Sequence, residues 1–279
     1  MIDSNWQKNN LRSAVQYLGC CLLVILYVNL YPVWKIANNS FSATFVKGAP
    51  VVITMLLAGG LLFFFYRSSL KNTVKIRWSF IIFGLVLCFS ALFISDPEIS
   101  AKRIHVPEYL LLSLYVRYVM SHKMQRLPLL LFASIFTLIL GIHDEFLQGF
   151  HPRRTYGLRD LTVNTIAGIG GGFIWHGFCL FSKNFTSSSF LPKKSTVHFT
   201  YLFWLLLALL GLVVPLFFYR SYAIPAWPFY PLIAASLFYF CLLQNDNSDW
   251  SHGLLVTSYS SFILLLYPLV INGAEILFY

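Results

Sequence analysis

The chain has 279 residues, of which 58% are hydrophobic, 18% aromatic and only 11% charged, with a net charge of +10 at neutral pH. Soluble domains carry roughly 25% charged residues, so this composition excludes a soluble globular enzyme, a disordered tail and a coiled coil. The basic residues lie in short loops between apolar runs, where they set membrane orientation and touch anionic headgroups, so no nucleic-acid partner is implied.

A membrane crossing needs roughly 20 mostly apolar residues. In chain order such stretches fall at about 14–34, 48–66, 78–95, 106–121, 127–146, 161–181, 200–219, 226–244 and 253–272. The expectation is an all-α, polytopic helical membrane protein of about nine transmembrane helices. The first stretch follows Lys8 and Arg12 like a signal peptide, but it is too long for one and ends in bulky Leu30-Tyr31-Pro32, so it reads as an anchor. The fourth is short and carries Glu108 and Arg117. Arg117 is expected to snorkel toward the loop that holds Lys123. Cys20, Cys21, Cys88, Cys179 and Cys241 all lie in apolar runs, where thiols act as small hydrophobes, against a disulfide framework or a cysteine-based zinc site.

The loop after the second stretch holds Arg67, Lys71, Lys75 and Arg77 without an acid, which places it and the N-terminus in the cytoplasm. The expected location is the bacterial cytoplasmic membrane. Alternation then puts 11 of the 20 basic residues inside and eight outside. Five of those eight, Lys102, Arg103, Arg153, Arg154 and Arg159, fall in segments 96–108 and 143–160, against the topological rule. Three regions follow: 1–77 with two helices and a basic loop, 78–181 with four helices, and 182–279 with three plain apolar helices. A linker, Ser187-Ser188-Ser189 and Pro192-Lys193-Lys194, opens the last, and Asn245 to Trp250 forms a polar turn within it.

Six of the ten acidic residues and four of the seven histidines lie between positions 96 and 160, among them His105, His143 and His151. Ionisable groups at membrane depth cost about 2.5–3.5 kcal/mol each, so they tend to be paired and functional. In the first patch His105 and Glu108, three apart, share a helix face, and Pro107 suits a first helical turn. A helix entrance at the headgroup zone explains the same residues. In the second, Asp144, Glu145 and Gln148 share the end of a helix, where acids oppose the macrodipole. Bidentate pairing with Arg153, Arg154 and Arg159 is the expected compensation, and a purely structural ion network fits equally. In the third, Asp160 is the expected N-cap of the sixth stretch, and Asp160, Asn164, Gly168 and Gly172 recur every four residues as a close-packing stripe. His176, deeper in that stretch, reads as a core residue. No dinucleotide fingerprint, phosphate loop or catalytic zinc motif is present.

Taken together, Ile104-His105-x-x-Glu108-Tyr109, Asp144-Glu145-x-x-Gln148-x-x-x-Pro152-x-Arg154 and Arg159-Asp160-x-x-x-Asn164-x-x-x-Gly168 resemble the VanZ-like family of bacterial membrane proteins. The resemblance covers about 78–181. It implies a cell-envelope protein connected with susceptibility to the glycopeptide teicoplanin, and it leaves the biochemical activity open.

Several functions fit. As an enzyme, the chain would use His105, Glu108, Asp144, Glu145 and Asp160 for acid–base work or orientation, with Glu145 or His105 as the base. Gln148, Arg153, Arg154, Arg159 and Asn164 would hold a phosphate-bearing ligand, Arg154 and Arg159 as clamps. As a binder, the same cluster would hold a membrane lipid or lipid-linked envelope precursor without turnover. A transporter or flippase, or a scaffold with a structural salt-bridge cluster, are the alternatives. Hard oxygen and nitrogen ligands are present but irregularly spaced, so no metal site is assigned, and the cofactor is left open.

Overall fold

The computed structural model describes residues 4–71, 76–96, 100–182, 195–220, 222–243 and 250–279. The Ser187–Lys194 linker, Lys75, Glu98 and the turn up to residue 249 lie outside them. All regular structure among the described residues is helical: α1 (Ser4–Val28), α2 (Tyr31–Ser40), α3 (Ala43–Lys71), α4 (Trp78–Ile94), α5 (His105–Met120), α6 (Arg126–Gly149), α7 (Leu158–Gly177), α8 (Ser195–Phe218), α9 (Tyr230–Phe238), α10 (Ser251–Ile263) and α11 (Leu266–Gly273). Each of the nine apolar stretches is helical over most of its length. Among the described residues, five segments are long and apolar enough to cross a membrane: Ser13–Ala37, Phe45–Ser68, Arg126–Gly149, Thr196–Phe218 and Ser251–Gly273. The chain therefore reads as an integral membrane protein. Trp78–Ile94 and Trp227–Leu243 are apolar but shorter.

The centre of the fold is α7, and its glycines explain why. A Cβ at Gly168 would run into Thr137 of α6, and one at Gly172 into Ser134 of the same helix. On other faces, Gly170 lies against the Gly84 carbonyl of α4 and Gly171 against Ser113 of α5. Small residues let helix backbones approach closely where lipid supplies no hydrophobic drive. One glycine-rich helix thereby packs against three neighbours at once. Trp175 of α7 donates from Nε1 to Ser113 Oγ at 3.0 Å, and His176 is buried with its ring 4.8 Å from that of Phe80.

Two expectations are corrected here. Arg117 does not snorkel to the loop: it is fully buried and donates from Nε to the Leu180 carbonyl (3.0 Å) and from Nη2 to Ser182 Oγ (3.3 Å). A cation beside the carbonyls that follow α7 complements the negative end of that helix. Asp160 is not an N-cap. Gly157, in extended conformation, holds that position, and Asp160 is the third residue of α7.

The helices after residue 195 share the core of the rest. Trp250 packs edge-on to Phe132 of α6, with ring centres 5.5 Å apart, and a Cβ at Gly253 of α10 would strike the same ring. His143 of α6 contacts Tyr267 Oη at 3.1 Å and the Ser260 carbonyl at 3.1 Å. That histidine serves the interface with α10 and α11, not the acidic cluster beside it.

Candidate functional site

The last turn of α6 brings two adjacent carboxylates, Asp144 and Glu145, into full burial. Asp144 Oδ1 accepts from Gln148 Nε2 (3.1 Å), the i,i+4 partner on its own helix. Asp144 Oδ2 accepts from Tyr109 Oη (3.0 Å) and from Asn164 Nδ2 (3.4 Å). Glu145 Oε1 accepts from the same amide at 3.4 Å, and Oε2 accepts from the backbone N–H of Gly157 at 3.1 Å. Because Gly157 caps α7, Glu145 sits at the positive end of that helix dipole, which offsets its unfavourable place at the end of α6. The hydrogen bonds of both acids thus come from neutral donors, and the expected bidentate arginine pairing at Asp144 and Glu145 does not form. The donors come from α5, α6, α7 and the residue that caps α7.

Arg153 and Arg154 stand instead, with Lys102, around a cavity of about 490 Å³. Its polar floor is made by Lys102, His105, Glu108, Gln148, Arg153, Arg154 and Asp160. Its wall is apolar and comes from the first three helices: Tyr27, Leu30, Val33, Trp34, Ala37 and Ile53. His105 Nδ1 meets Glu108 Oε2 at 3.0 Å, as their spacing implies, and both residues line the cavity. Lys102 Nζ lies 2.7 Å from Asp160 Oδ2. Arg154 donates from Nη1 to the Val28 carbonyl (3.1 Å) and from Nη2 to Gln148 Oε1 (2.6 Å). Gln148 therefore links the arginine on the cavity side to the buried Asp144.

Of the ten residues picked from the sequence, six line the cavity: His105, Glu108, Gln148, Arg153, Arg154 and Asp160. Asp144, Glu145 and Asn164 form the layer behind them, touching the cavity only through Gln148 and the helix framework. Arg159 stands apart. Its side chain is 56% exposed and reaches Asp96 at 3.7 Å. Sequence reasoning missed Tyr109 as the donor to Asp144 and Lys102 as the partner of Asp160, although the placement of Lys102 against the topological rule marked it out. The wall residues carry no sequence signal, being ordinary members of apolar runs. Among the described residues, no group of three or more His, Cys, Asp and Glu side chains is arranged to hold a metal ion.

No protein-family model, no curated protein and no solved structure matches the chain.

Proposed function

We propose that the chain is a VanZ-like protein of about nine transmembrane helices in the bacterial cytoplasmic membrane, N-terminus inside, whose cavity binds a phosphate-bearing amphiphile at the outer face. The ligand class is a membrane lipid or a lipid-linked envelope precursor, and holding it would alter the cell's response to teicoplanin. The observation that supports this reading is the two-part cavity: a floor with three cationic side chains, Lys102, Arg153 and Arg154, joined directly to an apolar wall from α1, α2 and α3. Pockets of roughly 300–1,000 Å³ lined by apolar groups with a few convergent polar ones suit ligands with a defined head and a greasy body. Guanidinium groups match phosphate geometry, and a wall at membrane depth accepts an alkyl or prenyl chain. A second reading, chemical modification of the bound head, is favoured by the His105–Glu108 pair. A carboxylate on Nδ1 fixes the ring and leaves Nε2 for proton transfer, the arrangement a general acid or base needs.

The test is titration of the purified chain in phosphatidylcholine nanodiscs with dodecyl phosphate and with dodecanol. The phosphate should bind more tightly than the alcohol, and Arg154→Gln should remove about tenfold or more of that preference, as loss of a hydrogen bond to a charged group does. Equal binding of the two probes, unchanged by the substitution, would contradict the reading.

A further inference from the structure

The loop 150–157 between α6 and α7 carries Arg153, Arg154 and Thr155 onto the cavity. It is gripped from a distant part of the chain. The backbone N–H of Tyr279 donates to the Gly149 carbonyl at 2.9 Å, and the Tyr279 carbonyl accepts from the Tyr156 N–H at 2.7 Å. One residue thus ties together the two ends of the loop. Phe278 beside it is 1% exposed, with its ring centre 5.3 Å from that of Tyr156, 6.1 Å from Phe150 and 6.2 Å from Phe146. A Cβ at Gly149 would fall on the Phe278 ring, so the absence of a side chain there is what admits the phenylalanine. Tyr156 is held twice more, by its Oη donating to the Val213 carbonyl of α8 (2.8 Å) and by Arg220 Nη1 donating to its carbonyl (2.9 Å).

The position of the grip gives it consequence. Tyr156 stands between Thr155, on the cavity, and Gly157, whose N–H holds Glu145. Fixing Tyr156 therefore fixes both the cationic rim and the acid layer. We infer that Phe278 and Tyr279 are positioning residues for the phosphate-binding floor, through which the helices after residue 195 set the affinity of a site built by the earlier ones. This inference rests on the ligand reading above. A loop held in its binding conformation spares the ligand the ordering cost, and loss of the hold appears in the part of affinity that the loop supplies.

The experiment uses the full chain in the same nanodiscs, with the same two probes, and compares wild type with Phe278→Ala and Gly149→Ala, which break one contact from opposite sides. Phe278→Leu, which refills the pocket with an apolar side chain, is the rescue. The expected result is that both alanine variants weaken dodecyl phosphate about tenfold, the scale of coupling through a packed network. Dodecanol binding stays within about twofold of wild type in all of them, because the wall from α1 to α3 is untouched, and the leucine variant recovers most of the loss. If the wild type prefers the phosphate and both alanine variants share that preference undiminished, the positioning role falls while the ligand reading stands. If the two probes weaken in parallel, the contact is a general packing element and the inference falls. If the wild type does not prefer the phosphate, the ligand reading falls and takes this inference with it.

Discussion

Two helices of nearly equal hydropathy do opposite work. The Phe45–Ser68 segment of α3 has mean hydropathy 2.1 and buries 11% of its most apolar stretch, whereas α6 has mean hydropathy 1.9 and buries 67%. The side chains of α3 mostly face outward, as lipid-facing groups do. Those of α6 face protein on nearly every side, and α6 is the helix that carries Asp144, Glu145 and Gln148. Ionised and amide groups are tolerated at that depth only where neighbouring helices supply hydrogen bonds. Polar content, and not hydropathy, therefore separates the helix that meets lipid from the helix that builds the site.

The largest effect that tests this contrast is steric. Gly171→Leu drives a side chain into Ser113 and Leu110, and overpacking of this kind costs about 1–3 kcal/mol or more, so little folded protein should be recovered. Gly59→Leu in α3, where nothing lies within 4 Å of a new Cβ, should leave yield and melting unchanged. Size-exclusion profiles and thermal melts of the two variants side by side decide it, and equal behaviour would break the comparison. Next comes Tyr109→Phe, which removes the 3.0 Å donor from fully buried Asp144 and should cost about 1–3 kcal/mol of stability. Arg154→Gln sharpens the division within the site, since it removes the donors to the Val28 carbonyl and to Gln148 Oε1 together with the charge on the cavity side. It should change stability by about 1 kcal/mol while costing dodecyl phosphate about tenfold in affinity. Arg159→Gln is the smallest. An exposed pair at 3.7 Å is worth about 0–1 kcal/mol, so both melting and phosphate binding should match wild type. A clear loss of phosphate binding there would return Arg159 to the ligand.

What was legible in the sequence was whatever a single helix determines. The His105–Glu108 contact follows from a spacing of three, the Asp144–Gln148 contact from a spacing of four, and the stripe of Gly168 and Gly172 from its period. Contacts between helices depend on rotation and register, which no local spacing records. Lys102 meets Asp160 where α5 and α7 pack through Ser113 and Gly171, and Tyr109 meets Asp144 where α5 packs on α6 beside Gly141. The same limit explains the arginines. Charge balance alone pairs them with the nearest acids, while the fold gives those acids a tyrosine, two amides and a helix-capping N–H. Residues 278 and 279 lie past the last apolar stretch and belong to no motif, and only the three-dimensional course of the chain brings them to Gly149 and Tyr156.

The most direct measurement is the mass spectrum of lipids that copurify with the wild-type chain and with Arg154→Gln, each extracted in the same neutral detergent at equal yield. The account predicts a phosphate-bearing lipid enriched over its share of the membrane in the wild type and depleted in the variant. Identical lipid profiles in the two, each mirroring the bulk membrane, would contradict it.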